Sequence, residues 1–189
     1  GSDVAREASD IVLADDNYGT IISAIAYGRA IYDNIKNALI FLLVSSFNEI
    51  FIIGIAFLAN LPSPLTVTQI LWINLVTDSL PAISLAFEGP HRGVLKQKPR
   101  SSKASDIKPS VYYSIYLSVV LLVIGFVFYL WGLHTSTEKA RTLVFVVSVV
   151  SILLFALSIR ARNRFWKNPK EVFSNKFLNI SVVISFMFA

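Results

Sequence analysis

Trp72-Ile73-Asn74-Leu75-Val76-Thr77-Asp78-Ser79-Leu80-Pro81 lies inside an apolar stretch, Thr66–Phe87, whose sole ionisable residue is Asp78. A second stretch, Ala38–Asn60, likewise holds one ionisable residue, Glu49. Each has the roughly 20 mainly apolar residues that a helix needs to cross a bilayer core. A carboxylate at that depth costs about 2.5–3.5 kcal/mol even on insertion scales, so it faces an ion path, a partner group or water. A carboxylate merely paired within a helix bundle is the plainer alternative. Two of them, each with polar neighbours at helical spacing, favour an ion pathway.

Asn74, Thr77 and Asp78 stand at i, i+3 and i+4, which places their oxygens on one helix face. Pro81 has no amide hydrogen, and its ring disfavours the helix hydrogen bond to the carbonyl four residues back, at Thr77. A main-chain oxygen is then expected beside a carboxylate, a hydroxyl and an amide. Hard cations such as Ca²⁺ take several oxygens of this kind. Transporters use broken helices for cation sites, and irregular backbone at membrane depth is tolerated where it lines a cavity. A proline kink satisfied by nearby Ser and Thr is the competing reading, and the acid weighs against it. In the first stretch, Ser46 and Glu49 at i, i+3 offer a second oxygen face, with Asn48 expected to point elsewhere.

Composition agrees with a membrane protein. Hydrophobic residues make up 54% of the 189 residues, charged ones 15%, and mean hydropathy is +0.63. There is no cysteine, which rules out a disulfide framework and thiolate metal ligation. The net charge of +5 is placed as topology rather than as a nucleic-acid footprint. Arg92, Lys96, Lys98, Arg100, Lys103 and Lys108 precede the third apolar span, and Arg160, Arg162, Arg164, Lys167, Lys170 and Lys176 follow the fourth. The alternate loops hold nothing basic at Leu61–Leu65 and only Lys139 and Arg141 near Trp131–Arg141. By the positive-inside pattern both basic loops and the N-terminal segment are expected in the cytosol of a multi-pass membrane protein.

The expected fold is mainly α: a polytopic helical membrane bundle with a short α/β remnant at the N-terminus. Residues 1–34 read as that remnant, with an apolar strand at Asp10–Ala14, a turn and helix cap at Asp15-Asp16-Asn17, and Ile21, Ala24 and Ile25 facing a core. Residues 35–189 form the membrane part, with spans at about 38–60, 66–87, 110–131 and 142–159 and a fifth run at 177–189. At about 1.5 Å per residue that last run is too short for a core of roughly 30 Å, so the chain reads as cut mid-span. No proline interrupts the helical pattern from Thr20 to Leu61, so one helix of about 60 Å is expected from the N-terminal segment into the first span.

With these residues in view, the chain resembles the C-terminal part of the P-type cation-transporting ATPases, in the calcium-pump-like branch. Gly1-Ser2-Asp3-Val4-Ala5-Arg6-Glu7-Ala8-Ser9-Asp10 and Val12-Leu13-Ala14-Asp15-Asp16-Asn17 are similar to the end of the family's phosphorylation domain. Gly28-Arg29-Ala30-Ile31-Tyr32-Asp33-Asn34-Ile35 resembles the stalk into the fifth membrane helix, and Leu71–Pro81 resembles the sixth. The resemblance implies membrane helices five to eight and the start of the ninth. It also implies that Glu49, Asn74, Thr77 and Asp78 ligate the transported cation, with Ca²⁺ as the leading ion.

Two positions depart from the two-site calcium-pump pattern. Ser46 stands where such pumps have asparagine, and Ile152 stands where they have an acid or amide. One bound Ca²⁺ rather than two is the expectation, with H⁺, Na⁺ or Mn²⁺ as alternative ions. Neither the family's Asp-Lys-Thr-Gly-Thr nor its Gly-Asp-Gly-Val-Asn-Asp motif occurs here, so no catalytic or cofactor-binding residue is assigned. ATP and Mg²⁺ are implied for the full-length protein, and this chain alone is expected not to hydrolyse ATP. The implied partners are the lipid bilayer, the transported cation and the rest of the pump chain, namely the fourth helix and the nucleotide and actuator domains, without nucleic acid. A passive channel or ion-coupled carrier using the same carboxylates, and a non-catalytic membrane subunit, are the competing functions.

Overall fold

Asn17 starts the longest element of the protein. In the computed structural model, which describes residues 3–12, 17–90, 93–96, 107–161 and 176–187, its side-chain oxygen accepts the Gly19 amide at 2.9 Å. This caps a 41-residue helix, α2 (Tyr18–Leu58), preceded by the short α1 (Asp3–Glu7). With no proline inside it, α2 runs for about 60 Å as one rod. It ends where Asn60 turns left-handed at φ 52°, letting the Leu61 amide reach the Ala56 carbonyl at 2.9 Å.

The short turn that follows is held from two sides. The Tyr129 hydroxyl donates to the Pro62 carbonyl, and Arg141 Nε donates to the Ser63 carbonyl at 3.0 Å. Thr66 and Gln69 then form a reciprocal capping box at the start of α3 (Val67–Trp72). The helix widens into a π-helical turn at Ile73–Asp78 and resumes as α4 (Ser79–Ala86). A 3-10 turn at Val94–Lys96 precedes α5 (Ile107–Leu133), α6 (Thr137–Ala161) and α7 (Lys176–Met187).

α2 is the centre of the bundle. α5, α4 and α6 all pack on it, and α7 lies across α4, α6 and the π turn. Ile40, Phe41, Val44 and Ile52 of α2 are buried with Ile73, Leu85, Val149 and Ile152 in one core. Phe41 stacks on Phe155 of α6 with centroids 6.3 Å apart, and Gly125 of α5 admits the Ile52 side chain close against its backbone. α2, α5 and α6 are each long and apolar enough to cross a membrane. At most 39% of the residues in their most apolar parts are buried, so their apolar surface faces largely outward, as lipid requires. The chain is a multi-pass membrane protein. The 67–86 segment matches the expected second span in extent but is an α–π–α composite.

The N-terminal expectation needs correction. No strand occurs among the described residues: Asp10–Val12 are irregular and exposed, and Leu13–Asp16 lie outside them. A strand needs a paired neighbour, and no second strand is described to supply one. Ala24 and Ile25 are exposed on α2, with Ile21 half-buried, so that stripe meets no core in this chain. Of the basic loops, Arg92, Lys98, Arg100, Lys103, Arg162, Arg164, Lys167 and Lys170 lie outside the described residues.

The α5–α6 hairpin is closed by Gly132, where an added Cβ would stand 2.5 Å from Ala140 Cα and 2.9 Å from its nitrogen. Gly132→Ala should therefore destabilise the protein by about 1–3 kcal/mol, the usual penalty of overpacking. Gly28 has nothing within 4 Å of such a Cβ, and Gly28→Ala should stabilise α2 by about 0.5–1 kcal/mol. Thermal unfolding in detergent should show these as shifts of opposite sign.

Candidate ion site

Glu49 and Asp78 are both buried within the bundle, 8% and 2% exposed, and Glu49 lies close enough for its charge to act on Asp78. α2 delivers Glu49, and the π turn delivers Asp78. Asn74 donates its side-chain amide to both Glu49 oxygens, at 3.3 and 3.0 Å, and to the Ile70 carbonyl at 2.9 Å. It thus orients the carboxylate from the edge of the site, where the rest of Asn74 is exposed. Thr77, fully buried, adds a hydroxyl. All four predicted residues lie in or beside this constellation.

Several buried oxygens on these two segments lack partners. Ser45 Oγ, Asn48 Oδ1, Thr77 Oγ1 and Asp78 Oδ1 are buried with no hydrogen bond. The Ser45 hydroxyl lies close enough to act on the Asp78 carboxylate, yet without hydrogen-bond geometry. Buried polar atoms in native proteins are hydrogen-bonded in about 90% of cases or more, so orphans gathered on two facing segments call for a missing partner. Oxygens alone, two of the residues being carboxylates, suit a hard cation. Among the described residues no group of three or more Asp, Glu, His or Cys occurs, so such a cation would lean on neutral oxygens as well.

Sequence spacing pairs Ser46 with Glu49, turns Asn48 elsewhere and overlooks Ser45. Ser45 and Asn48 are buried with Glu49, whereas Ser46 is exposed. Residues three and four before Glu49 both neighbour it on a helix, and periodicity alone does not say which one faces the bundle. The signal was the whole Ser45-Ser46-Phe47-Asn48-Glu49 run, read on either side of the acid. The Pro81 effect also takes a different form. A π turn, a feature frequent at functional sites, replaces the expected simple kink. Within it Ser79 Oγ donates to the Asn74 carbonyl at 3.0 Å. Ile152 is 1% exposed and lies in the apolar core, as its side chain requires.

This membrane bundle, with acids and orphan oxygens at mid-helix, has the character of a cation-transport domain. Residues 62–189 match the family described as cation transporting ATPase, C-terminus, and the chain belongs to that family. It is 35% identical to a calcium-transporting ATPase 1 of Bacillus cereus over 97% of its own length and 23% of that protein. It is 38% identical to a calcium-transporting ATPase of Bacillus subtilis over 98% of its length and 21% of that protein. It is 37% identical to the human calcium-transporting ATPase type 2C member 1 over 87% of its length and 18% of that protein. The chain therefore spans about a fifth of the length of these relatives.

Thr77 separates binding from packing. Thr77→Val keeps its shape and removes a buried hydroxyl that lacks a partner. In the full-length protein this should raise stability by about 1 kcal/mol while weakening cation affinity about tenfold, since a ligand oxygen is lost. Unfolding midpoints and cation titrations on the same preparation check both halves.

Proposed function

We infer that the chain is the membrane-transport part of an ATP-driven Ca²⁺ pump. The observation that carries this reading is the set of orphan buried oxygens between α2 and the π turn. Two carboxylates and the neutral oxygens of Ser45, Asn48, Asn74 and Thr77 can approach the 6–8 oxygens that Ca²⁺ takes. They suffice for one such ion and fall short of two, and the apolar Ile152 adds none. The open edge beside Asn74 is where the fourth helix of the whole pump would complete the shell. ATP and Mg²⁺ would act in parts of the pump outside this chain, which by itself would not hydrolyse ATP.

α2 would couple the two. Asn34 Nδ2 donates to the Ala86 carbonyl at 3.3 Å and to the Glu88 carbonyl at 2.5 Å, and an Arg29 guanidinium nitrogen donates to the Val94 carbonyl at 2.9 Å. The N-terminal half of the rod is thus tied to the end of the helix that carries Asp78. Tilting the rod at its phosphorylation-domain end would drag both halves of the site. The N-terminal segment and the basic loops would lie in the cytosol, with the 67–86 segment crossing as one of the spans. A channel or carrier has no need for such a rod.

In the full-length protein Asp78→Asn should abolish Ca²⁺-dependent phosphorylation from ATP, and Glu49→Gln should raise the half-saturating Ca²⁺ at least tenfold. Equilibrium ⁴⁵Ca²⁺ binding normalised to phosphoenzyme should give one ion, with a Hill coefficient near one. Wild-type Ca²⁺ dependence in Asp78→Asn would overturn the site. Two ions bound cooperatively would overturn the stoichiometry, and no Ca²⁺ binding would move the reading to H⁺, Na⁺ or Mn²⁺. Single cysteines at Lys96 and Ser63 should label from opposite sides of the membrane, and labelling from one side would overturn the topology.

A further inference from the structure

α7 reaches the back of the candidate site through two serines one turn apart. Ser181 Oγ lies 2.6 Å from Ser84 Oγ of α4 and donates to its own Phe177 carbonyl at 2.8 Å. Ser185, fully buried, directs its hydroxyl to the Val76 carbonyl at 3.3 Å. Val76 is inside the π turn, one residue before Thr77 and two before Asp78.

The choice of Val76 follows from Pro81. Proline has no amide hydrogen, so one carbonyl upstream of it loses its main-chain donor. At α-helical spacing that carbonyl is four residues back, at Thr77. At the five-residue spacing of a π turn it is Val76. A carbonyl buried in an apolar bundle without a donor is unfavourable, and no water is at hand in a bilayer core to supply one. The donor found at Val76 comes from another helix, as the π spacing demands.

We propose that Ser185 is a positioning residue for the cation site, replacing the missing Pro81 amide and thereby holding the π turn that presents Thr77 and Asp78. The proposal rests on the cation-site reading above. Without the Ser185 hydroxyl the turn loses the bond that favours five-residue spacing. Relaxation toward α spacing shifts the faces of the following residues by about one position, roughly 100° at 3.6 residues per turn. Asp78 then swings away from Glu49 while the helix itself persists. Ser185 touches neither carboxylate, so its removal weakens binding and leaves the phosphorylation chemistry intact.

The test is Ca²⁺-dependent phosphorylation of the full-length pump by ATP. Ser185→Ala, and Ser185→Val compared with its isostere Ser185→Thr, isolate the hydroxyl from side-chain volume. The Ala and Val variants should raise half-saturating Ca²⁺ roughly five- to tenfold, the scale of one hydrogen bond, with unchanged maximal phosphoenzyme. The Thr variant should stay within about twofold of wild type. Pro81→Ala restores an amide hydrogen, so in that background the difference between the Val and Thr variants should collapse. A purely structural serine would move none of this coupling. Equal Val and Thr variants, or a difference that persists with Pro81→Ala, overturns the proposal. Asp78→Asn run alongside keeps the two readings apart. If it retains Ca²⁺ dependence the cation site itself fails, whereas an inactive Asp78→Asn with equal Val and Thr variants removes only the role of Ser185.

Discussion

Glu49 and Asp78 are two carboxylates buried near one another inside an apolar bundle, and the architecture around them answers that constraint. Glu49 is relieved by the Asn74 amide, which bridges both of its oxygens. Asp78 leaves one buried oxygen, Oδ1, without a hydrogen bond among the described residues. A pair kept only for stability would be expected to carry donors on both acids, since a buried, uncompensated charge is strongly destabilising. Further acceptor-capable oxygens, on Ser45, Asn48 and Thr77, are likewise buried without a hydrogen bond on the two segments that carry the acids. What such a set lacks is positive charge.

On the proposed reading, the π turn would let one helix serve both as a membrane span and as half of an ion site. A regular helix satisfies its own carbonyls and turns its polar side chains in a fixed sequence of directions. Widening at Ile73–Asp78 breaks that regularity over the stretch that carries Asn74, Thr77 and Asp78. Pro81 prevents the regular ladder from closing immediately downstream. The irregular backbone is then satisfied from side chains, by Ser79 at the Asn74 carbonyl and by Ser185 at the Val76 carbonyl. Serines thus occupy the places where, in water, solvent would serve.

Much of this was legible in the residues, and the failures have physical reasons. The long rod followed from its breakers: Asn17, in the expected cap cluster, caps α2, and no proline interrupts the helix before Pro62. The candidate site stands out in the residues because a lone acid in an apolar run is costly wherever it sits. What the residues left hidden was rotation. Ser45 and Ser46 are equally good neighbours of Glu49, and only the packing of α4 and α6 on α2 selects Ser45. The π register was hidden too, because Pro81 announces a lost hydrogen bond without saying whether it is lost at four-residue or five-residue spacing. The N-terminal strand was over-read from a short apolar run, since strand pairing is a property of neighbours that this segment does not contain among the described residues.

Rotation about the rod would let a site of the proposed kind be both tight and switchable. The orphan oxygens sit on two bodies: Ser45 and Asn48 with Glu49 on α2, Thr77 with Asp78 on the π turn. Neither body alone offers enough oxygens for a dehydrated Ca²⁺. In the proposed pump, affinity would depend on the relative setting of two helices, and a small tilt or turn of α2 would lower it without breaking either helix. The bonds from Asn34 to the Ala86 and Glu88 carbonyls bind the same two bodies again at the far end of α4. A displacement of the rod is thus transmitted at two points along the 67–86 segment, its hydrogen-bonded end and its acidic middle. The acidic middle is the π turn itself, a wider and less regular ladder than the helices on either side of it.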